Sequence, residues 1–538
     1  MGRHRKQSAS AVFTLTPHHK EHPLQYQQLP EQTPIIVGAA QVVERLGDGA
    51  RPPFSSPMQL AATASLRALQ DAGVSSADVD TIAVIQLFSD AAKAWASPFG
   101  GSNNPPESVA QRIGATPLRR IYSSMGGTEP LQIMVELLQA IARSEMKLAL
   151  LTGAEAIATQ RFAVRNGITL EWDEQFDVAL DKRDGSKRFV AREEIVSGLN
   201  MPVHYYALIE NAQAHQMGHS PQQHRQHMAQ LLAPFSEVAA RNEYAQTPIA
   251  YSAAALAEPG PDNYLLALPY SKRLVAQDNV NQSAALVLTS VGHARQLGIN
   301  PRQWIFLAGY ADGVDQYLSQ REDPARSTAM RDVLTTTLQR ADATPSDMEM
   351  IDIYSCFPCA VQAACDILGL PSEGSVPLTV TGGLPFFGGP GNNYTLHALA
   401  EVSVQLRGRA ARALVTANGG MLSKHAAAVL SANPVHAGRI DWQHTDSFTI
   451  DCSNIMAKPL AITPAEGTVV TYTVIVRRDA PDTAVVLAET DSGERFVAVS
   501  DDDAITASMQ QLSPIGRAIV VCTSDARHEF HFKSLQGL

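Results

Sequence analysis

Leu60, Ala64, Leu66 and Leu69 recur at helical spacing and predict a helix with one apolar stripe. The run Ile82-Ala83-Val84-Ile85 that follows predicts a short buried strand. The pattern returns later, with Leu334 and Leu338 on one helical face and Ile351-Asp352-Ile353 on a strand. Residues 69–82 and 338–351 align without a gap, identical at Leu69/Leu338, Gln70/Gln339, Ala72/Ala341, Asp78/Asp347 and Ile82/Ile351. Solenoid repeats have periods of about 20–50 residues, so this spacing instead implies one α/β unit duplicated and fused.

A second similarity supports the duplication. Gly126-Gly127 leads into a predicted helix over about 130–144 and a strand at Leu148–Leu151. Gly388-Gly389 leads into a predicted helix over about 395–408 and a strand at Ala413–Thr416. Alternating strands and helices imply a mostly parallel sheet covered by helices. After about residue 440 the pattern changes. Val469–Val476, Ala484–Leu487, Arg495–Val499 and Ala518–Val521 are short β-rich runs, which predict a small barrel. Four regions follow: a disordered tail, 1–33; a first half with a loop insertion, 34–300; a second half, 301–440; and an OB-like β domain, 441–538.

Composition narrows the function. Hydrophobic content of 45% and charge of 18% fit a globular protein, and no apolar run reaches transmembrane length. A net charge of −11 argues against phosphate-driven nucleic-acid binding. Five cysteines make no disulfide framework, so a reducing cytoplasm is expected. Cys356 and Cys359 have CxxC spacing without a second pair, so no metal site is expected.

Four segments carry candidate chemistry: Ser123-Ser124-Met125-Gly126-Gly127-Thr128, Tyr354-Ser355-Cys356-Phe357, Gly388-Gly389-Pro390-Gly391 and Thr416-Ala417-Asn418-Gly419-Gly420. Their order and spacing resemble the thiolase superfamily, whose corresponding loops read Asn-x-x-Cys-x-Ser, His-Asp-Cys-Phe, Gly-His-Pro-x-Gly and Cys-x-Gly-Gly-Gly. The resemblance implies a duplicated five-layer αβαβα core. It is closest to thiolase-like proteins labelled acetyl-CoA acetyltransferase, in which Gly-Gly-Pro-Gly-Asn-Asn-Tyr (388–394) and Asn-Gly-Gly-x-x-x-Lys-His-Ala (418–426) recur and a further β-rich domain follows. It also implies coenzyme A or an acyl-CoA as ligand, no permanently bound cofactor, and a homodimer through the core.

The departures are chemical. The nucleophile position falls on Gly126, the activating histidine on Gly389, and the second cysteine on Thr416, or on Asn418 with a shifted alignment. None can form a thiolate near neutral pH. Nucleophilic catalysis needs nucleophile and base within hydrogen-bond reach, so an ordinary thiolase mechanism is not expected. Backbone survives side-chain loss, however. Turns at Gly126, Gly127 and Gly389 that open helices would offer N–H groups and a positive dipole end to a thioester oxygen, with Asn418 and Gly419 beside them.

Other candidates remain. Tyr354 stands where thiolase-fold retro-aldolases acting on CoA esters place a tyrosine acid/base. Cys356 is a candidate catalytic thiol. Cys359 near a helix start is either a substitute nucleophile or a small core residue. His425 is a candidate proton shuttle or a structural residue. Glu129 and Glu155 lie near the first-half turns, Glu155 where a strand ends. Three functions stay open: an acyl-CoA-binding protein of the acyltransferase class without ordinary activity, a lyase using Tyr354, and a non-catalytic scaffold.

Overall fold

The computed structural model describes residues 26–47, 49–51, 53–183, 190–443, 448–524 and 527–534. The first half holds β1 (Pro34–Val43), α1 (Pro57–Ala72), β2 (Thr81–Val84), α2 (Pro105–Ile113), β3 (Arg119–Tyr122), α3 (Glu129–Ala142) and β4 (Leu148–Ala156). An insertion follows, with α4 (Ile157–Asn166), β5 (Asp181–Lys182), α5 (Arg192–Val196), α6 (Pro202–Gln216), α7 (Pro221–Arg241), α8 (Ala253–Ala257), β6 (Leu265–Ala267) and β7 (Tyr270–Ser271). β8 (Asn281–Ser290) and α9 (Val291–Gln296) complete that half. The second half holds β9 (Phe306–Val314), α10 (Thr328–Arg340), β10 (Met350–Asp352), α11 (Pro358–Leu368), α12 (Tyr394–Leu406), β11 (Arg412–Gly419), β12 (Lys424–Ser431) and β13 (Thr449–Asp451). The C-terminal region holds β14 (Glu466–Ile475), β15 (Thr483–Glu489), β16 (Arg495–Ser500), α13 (Asp503–Gln511), β17 (Ala518–Ser524) and β18 (Arg527–Phe532).

Strand register establishes the duplication residue by residue. In the first sheet, ordered β1-β8-β4-β2-β3-β5, one row across four strands is Gly38–Val287–Leu150–Ile82. In the second, ordered β10-β11-β12-β9-β13, the matching row is Gly309–Val429–Leu414–Ile351. Ile82 and Ile351 are partners in the sequence repeat. The register shift beside each glycine, between Ile36 and Gly38 and between Val429 and Leu430, recurs as well.

Both glycines let a helix touch the sheet backbone. A Cβ on Gly38 would collide with the Ala68 carbonyl and approach the Ala72 Cβ to 2.8 Å; on Gly309 it would collide with the Thr337 carbonyl and approach the Ala341 Cβ to 2.9 Å. Ala72 and Ala341 are another identical pair of the repeat, small because the contact admits nothing larger. The shared aspartates act alike. Asp78 accepts the Ser75 N–H (3.1 Å) and Asp347 the Thr344 N–H (2.8 Å), each closing a capped turn that delivers the chain to the next strand.

The layers are helices α1 and α2, the first sheet, helices α3 and α12, the second sheet, and helices α10 and α11. α3 and α12 touch both sheets, so the expected five-layer core is present. One expectation of the α1 stripe is corrected. Leu66 is 45% exposed, and the buried face is built from Leu60, Ala61, Ala64, Ala68 and Leu69. Small residues, rather than the leucine, face the strands because the helix lies so close to them.

β14–β18 form a closed five-strand barrel, with β14 pairing back onto β15. The β6–β7 hairpin of the insertion joins it through Ile475 and Ala267. Two boundaries differ from the sequence expectation. β13 lies beyond residue 440 yet pairs with β9 of the core sheet. Residues 26–33, assigned to a tail, are packed: Tyr26 meets Trp304 edge-on at 5.8 Å, and Arg295 donates to the Tyr26 carbonyl (2.9 Å). The remainder of the expected tail, 1–25, lies outside the described residues. Among the described residues no helix is long and apolar enough to cross a membrane.

Candidate functional site

Most of the singled-out residues meet where β11, β10 and the start of α3 converge. A Cβ on Gly127 would collide with the Asn418 carbonyl and come within 2.5 Å of the Tyr354 hydroxyl. A Cβ on Gly419 would lie 3.2 Å from the Gly127 nitrogen. Gly127 and Gly419 are therefore the contact surface between the halves, and Tyr354 fills the space above them. Gly389 is apart: its N–H donates to the Gln277 carbonyl (2.7 Å), and a Cβ there would meet that carbonyl at 3.4 Å.

Two of the expected thioester-oxygen donors, the Gly126 and Gly389 N–H groups, are engaged. The Gly126 N–H, at φ +147°, donates to Asn392 Oδ1 (3.0 Å), while Asn392 Nδ2 donates to the Gln86 carbonyl (2.8 Å). Asn393 Nδ2 donates to the Gly153 carbonyl (2.8 Å). The two asparagines of the 388–394 motif thus staple the second half to the strand ends of the first. The sequence displayed the motif but gave no sign of this role, since the partners lie hundreds of residues away.

Cys356, Tyr354 and His425 are neutral near pH 7. Burial pushes the Cys356 thiol up to about 12, against hydrogen bonds from Tyr206 and Asn418 that favour the thiolate. Cys356 is therefore a poor nucleophile, and Asn418 Nδ2 points at its sulfur from 3.4 Å. Burial also lifts Tyr354 well above the ordinary phenol range. A general acid/base works best with a pKa near the operating pH, which weighs against Tyr354 in that role in the unliganded protein. Burial lowers His425 to about 4, with Asp315 opposing the shift. The ring nitrogen Nε2 of His425 lies 2.9 Å from Ser327 Oγ and 3.1 Å from the Leu422 carbonyl, and Ser327 donates to Asp315 (2.6 Å). Tyr354 and His425 share no hydrogen bond among the described residues.

Cys359 takes the core reading. Its side chain is fully buried, its thiol is pushed well up by burial, and its N–H donates to Glu210 Oε2 (2.7 Å). Glu129 accepts from Ser124 Oγ (2.6 Å) and stabilises the first-half loop.

Tyr206 of α6 was not foreseen from sequence. It stacks on Phe357 with centroids 4.2 Å apart, and its hydroxyl accepts from Asn418 Nδ2 (2.9 Å) and the Leu422 N–H (3.0 Å). The insertion of the first half therefore covers the strand ends of the second. What remains among Met330, Tyr354, Thr416, Asn418 and His425 is a void of about 10 Å³. That is at the lower limit for one water molecule.

A larger cavity, about 270 Å³, lies elsewhere, at the carboxyl ends of β2 and β4 in the first half, with Glu155 in its wall.

Comparison with solved structures gives a full-length match. A monomeric SCP2-thiolase-like protein type 1 from Mycobacterium smegmatis is 31% identical, covering 94% of this chain and 100% of that one, with a TM-score of 0.78. The chain belongs to the type 1 thiolase-like proteins. Residues 454–526 match the thiolase-like protein type 1 additional C-terminal domain, which is the barrel region of this type 1 protein. Two more distant structures share the fold. An Ltp2-ChsH2(DUF35) aldolase is 18% identical over 75% of this chain and 98% of that one, with a TM-score of 0.54. An acetyl-CoA acetyltransferase from Syntrophomonas wolfei is 15% identical over 74% and 99%, with a TM-score of 0.53. No curated protein sequence matches this type 1 thiolase-like protein.

Proposed function

We propose that this type 1 thiolase-like protein binds an acyl-CoA and does not transfer its acyl group. The observation that carries the reading is the Asn392 contact. The loop that would hold the nucleophile ends in Gly126, and the Gly126 N–H is already donated to Asn392. No group nearby offers a thiolate, since burial holds Cys356 at about 12. Membership of the thiolase superfamily supports the CoA ester as ligand class. The protein is then of the acyltransferase class by descent.

A scaffold that binds no thioester is the second reading, favoured by the void of about 10 Å³ beside Tyr354, Asn418 and His425. Calorimetric titration with coenzyme A, acetyl-CoA and a medium-chain acyl-CoA separates the two. Saturable heat without release of free thiol supports the binding protein. No heat with any of the three, in folded protein, supports the scaffold. Thiolysis of acetoacetyl-CoA would refute both.

We read the protein as a monomer. β3 is covered by β5 through Ile121–Asp181 and Tyr122–Lys182, and β5, at the edge of the first sheet, is two residues long. So short an edge offers little ladder for a partner strand. The Mycobacterium smegmatis relative is described as monomeric. This reading replaces the homodimer expected from the superfamily.

A further inference from the structure

Glu155 is a carboxylate that the fold does not require. Strand register makes Glu155 the counterpart of Gly419, since Leu150 and Leu414 occupy the same row and each residue lies five positions on. In the second half that position is closed by Gly127. In the first half it opens into the cavity of about 270 Å³.

The side chain is 3% exposed and no cation pairs with it among the described residues. One oxygen, Oε1, accepts the Phe88 N–H (2.7 Å); the other has no hydrogen-bond partner among the described residues. Gly391, at φ +54°, makes the room: a Cβ there would collide with Oε1. The rest of the wall mixes apolar and aromatic side chains with Ser56, Ser89, Ser97, Ser102 and Gln160. Phe88 and Trp95 stack with centroids 4.4 Å apart, and Trp172 and Met58 contribute further surface. Arg161 and Asp278 at the wall are paired with each other by two hydrogen bonds of 2.7 Å, so neither is free to hold an ion.

A cavity with an aromatic face and a few fixed polar groups is the usual form of a small-molecule site. The carboxyl ends of sheet strands are where open α/β folds bind ligands. The geometry points to a binding site for a small uncharged molecule with an aromatic or alicyclic body and a carbonyl oxygen, anchored by the Glu155 carboxyl. Burial first, and then Asp90 and Asp278, raise this carboxyl to about 8, while the Phe88 N–H opposes the shift. At neutral pH it therefore carries a proton and donates a hydrogen bond. The site is separate from the Gly127–Asn418 contact, and Gly391 of the 388–391 loop borders it.

Acetophenone is a suitable probe, titrated into the full chain at pH 6.5 by calorimetry and tryptophan fluorescence, with benzoate as the charged control. Saturable acetophenone binding is expected, with benzoate at least tenfold weaker. Glu155→Leu is expected to weaken acetophenone binding about tenfold, the value of one buried hydrogen bond. Glu155→Gln keeps a donor and should stay within about threefold of the wild type. Gly101→Leu should abolish binding by filling the cavity, because a Cβ on Gly101 meets nothing within 4 Å and the fold tolerates it. Raising the pH to 9.5 should weaken wild-type binding about tenfold and leave Glu155→Gln unchanged. The groups facing Glu155 are Asp90, Asp278, Arg161 and Tyr122, and no histidine is among them. Absence of acetophenone saturation, tighter binding of benzoate, or equal affinity in Glu155→Leu or Gly101→Leu would overturn the proposal. Each of these outcomes is read without coenzyme A present, so it stands whatever the coenzyme A titrations give.

Discussion

The two halves of the core share a scaffold and differ at the ends of their strands. The row Gly38–Val287–Leu150–Ile82 has its counterpart in Gly309–Val429–Leu414–Ile351, and each glycine admits a helix backbone against a sheet. Five residues further on, the halves part. The first half ends β4 in Glu155 and an open cavity; the second ends β11 in Gly419 and a void scarcely larger than a water. The reason is the connection. β4 and β8 are separated by the insertion at residues 157–280, whereas β11 and β12 are joined across residues 420–423. The long insertion crosses to the second half, where α6 and α7 pack on α11 and Tyr206 caps Asn418. The first half thereby covers its partner's strand ends and leaves its own open. Packed interiors tolerate no change of volume, while strand ends and loops accept it.

The equivalence of the rows can be broken at its centre. Gly38→Val and Gly309→Val should each lower stability by about 3 kcal/mol or more, because both place a Cβ against a helix carbonyl. Urea unfolding of the two variants checks this, and a large loss at one site alone would end the claim of equivalence.

The next effect sharpens the contrast at Glu155. Its folded pKa of about 8 lies above the ordinary carboxyl value of 4.5, so the folded state holds a proton that the unfolded state releases. Its contribution is fully present below pH 4.5 and is lost as the pH rises through 8. Relative to Glu155→Gln, the wild type should lose roughly 2–4 kcal/mol across that window, read from urea midpoints at successive pH values.

Buried histidines act in the opposite direction. Burial lowers His397 to about 3 and His425 to about 4, both below the ordinary 6.5. Their neutral forms stabilise the fold above pH 6.5, and that stability is lost as the pH falls toward 4. His397→Gln should reduce the acid loss by on the order of 1–3 kcal/mol, measured between pH 6.5 and 4. An unchanged acid slope would show that His397 is solvated in the folded state.

The smallest effect is expected at Tyr354. Its hydroxyl has no hydrogen-bond partner among the described residues, so Tyr354→Phe should change stability by less than about 0.5 kcal/mol. A larger change would reveal a polar contact at the junction of the halves.

Some of this was legible in the chain and some was not, along a physical line. Helix stripes, capped turns and β-rich runs arise from residues close in sequence, so Asp78, Asp347 and the four C-terminal runs declared themselves. Leu66 misled because helical spacing shows that a face exists but not which rotation faces the strands; Ala64 and Ala68 do so instead. Gly126 and Gly389, set against the thiolase loops they resemble, gave the expectation that an ordinary thiolase mechanism is missing. The engagement of the Gly126 N–H by Asn392 was hidden, because it joins segments from opposite halves.

The sequence by itself determined the duplicated α/β core and the appended barrel. These follow from periodicity, repetition and residue chemistry. Only the tertiary structure decided that Tyr206 closes one set of strand ends while Glu155 lies open at the other. Which polar group is buried, and which faces a cavity, depends on where a long insertion settles, and no local pattern of residues encodes that.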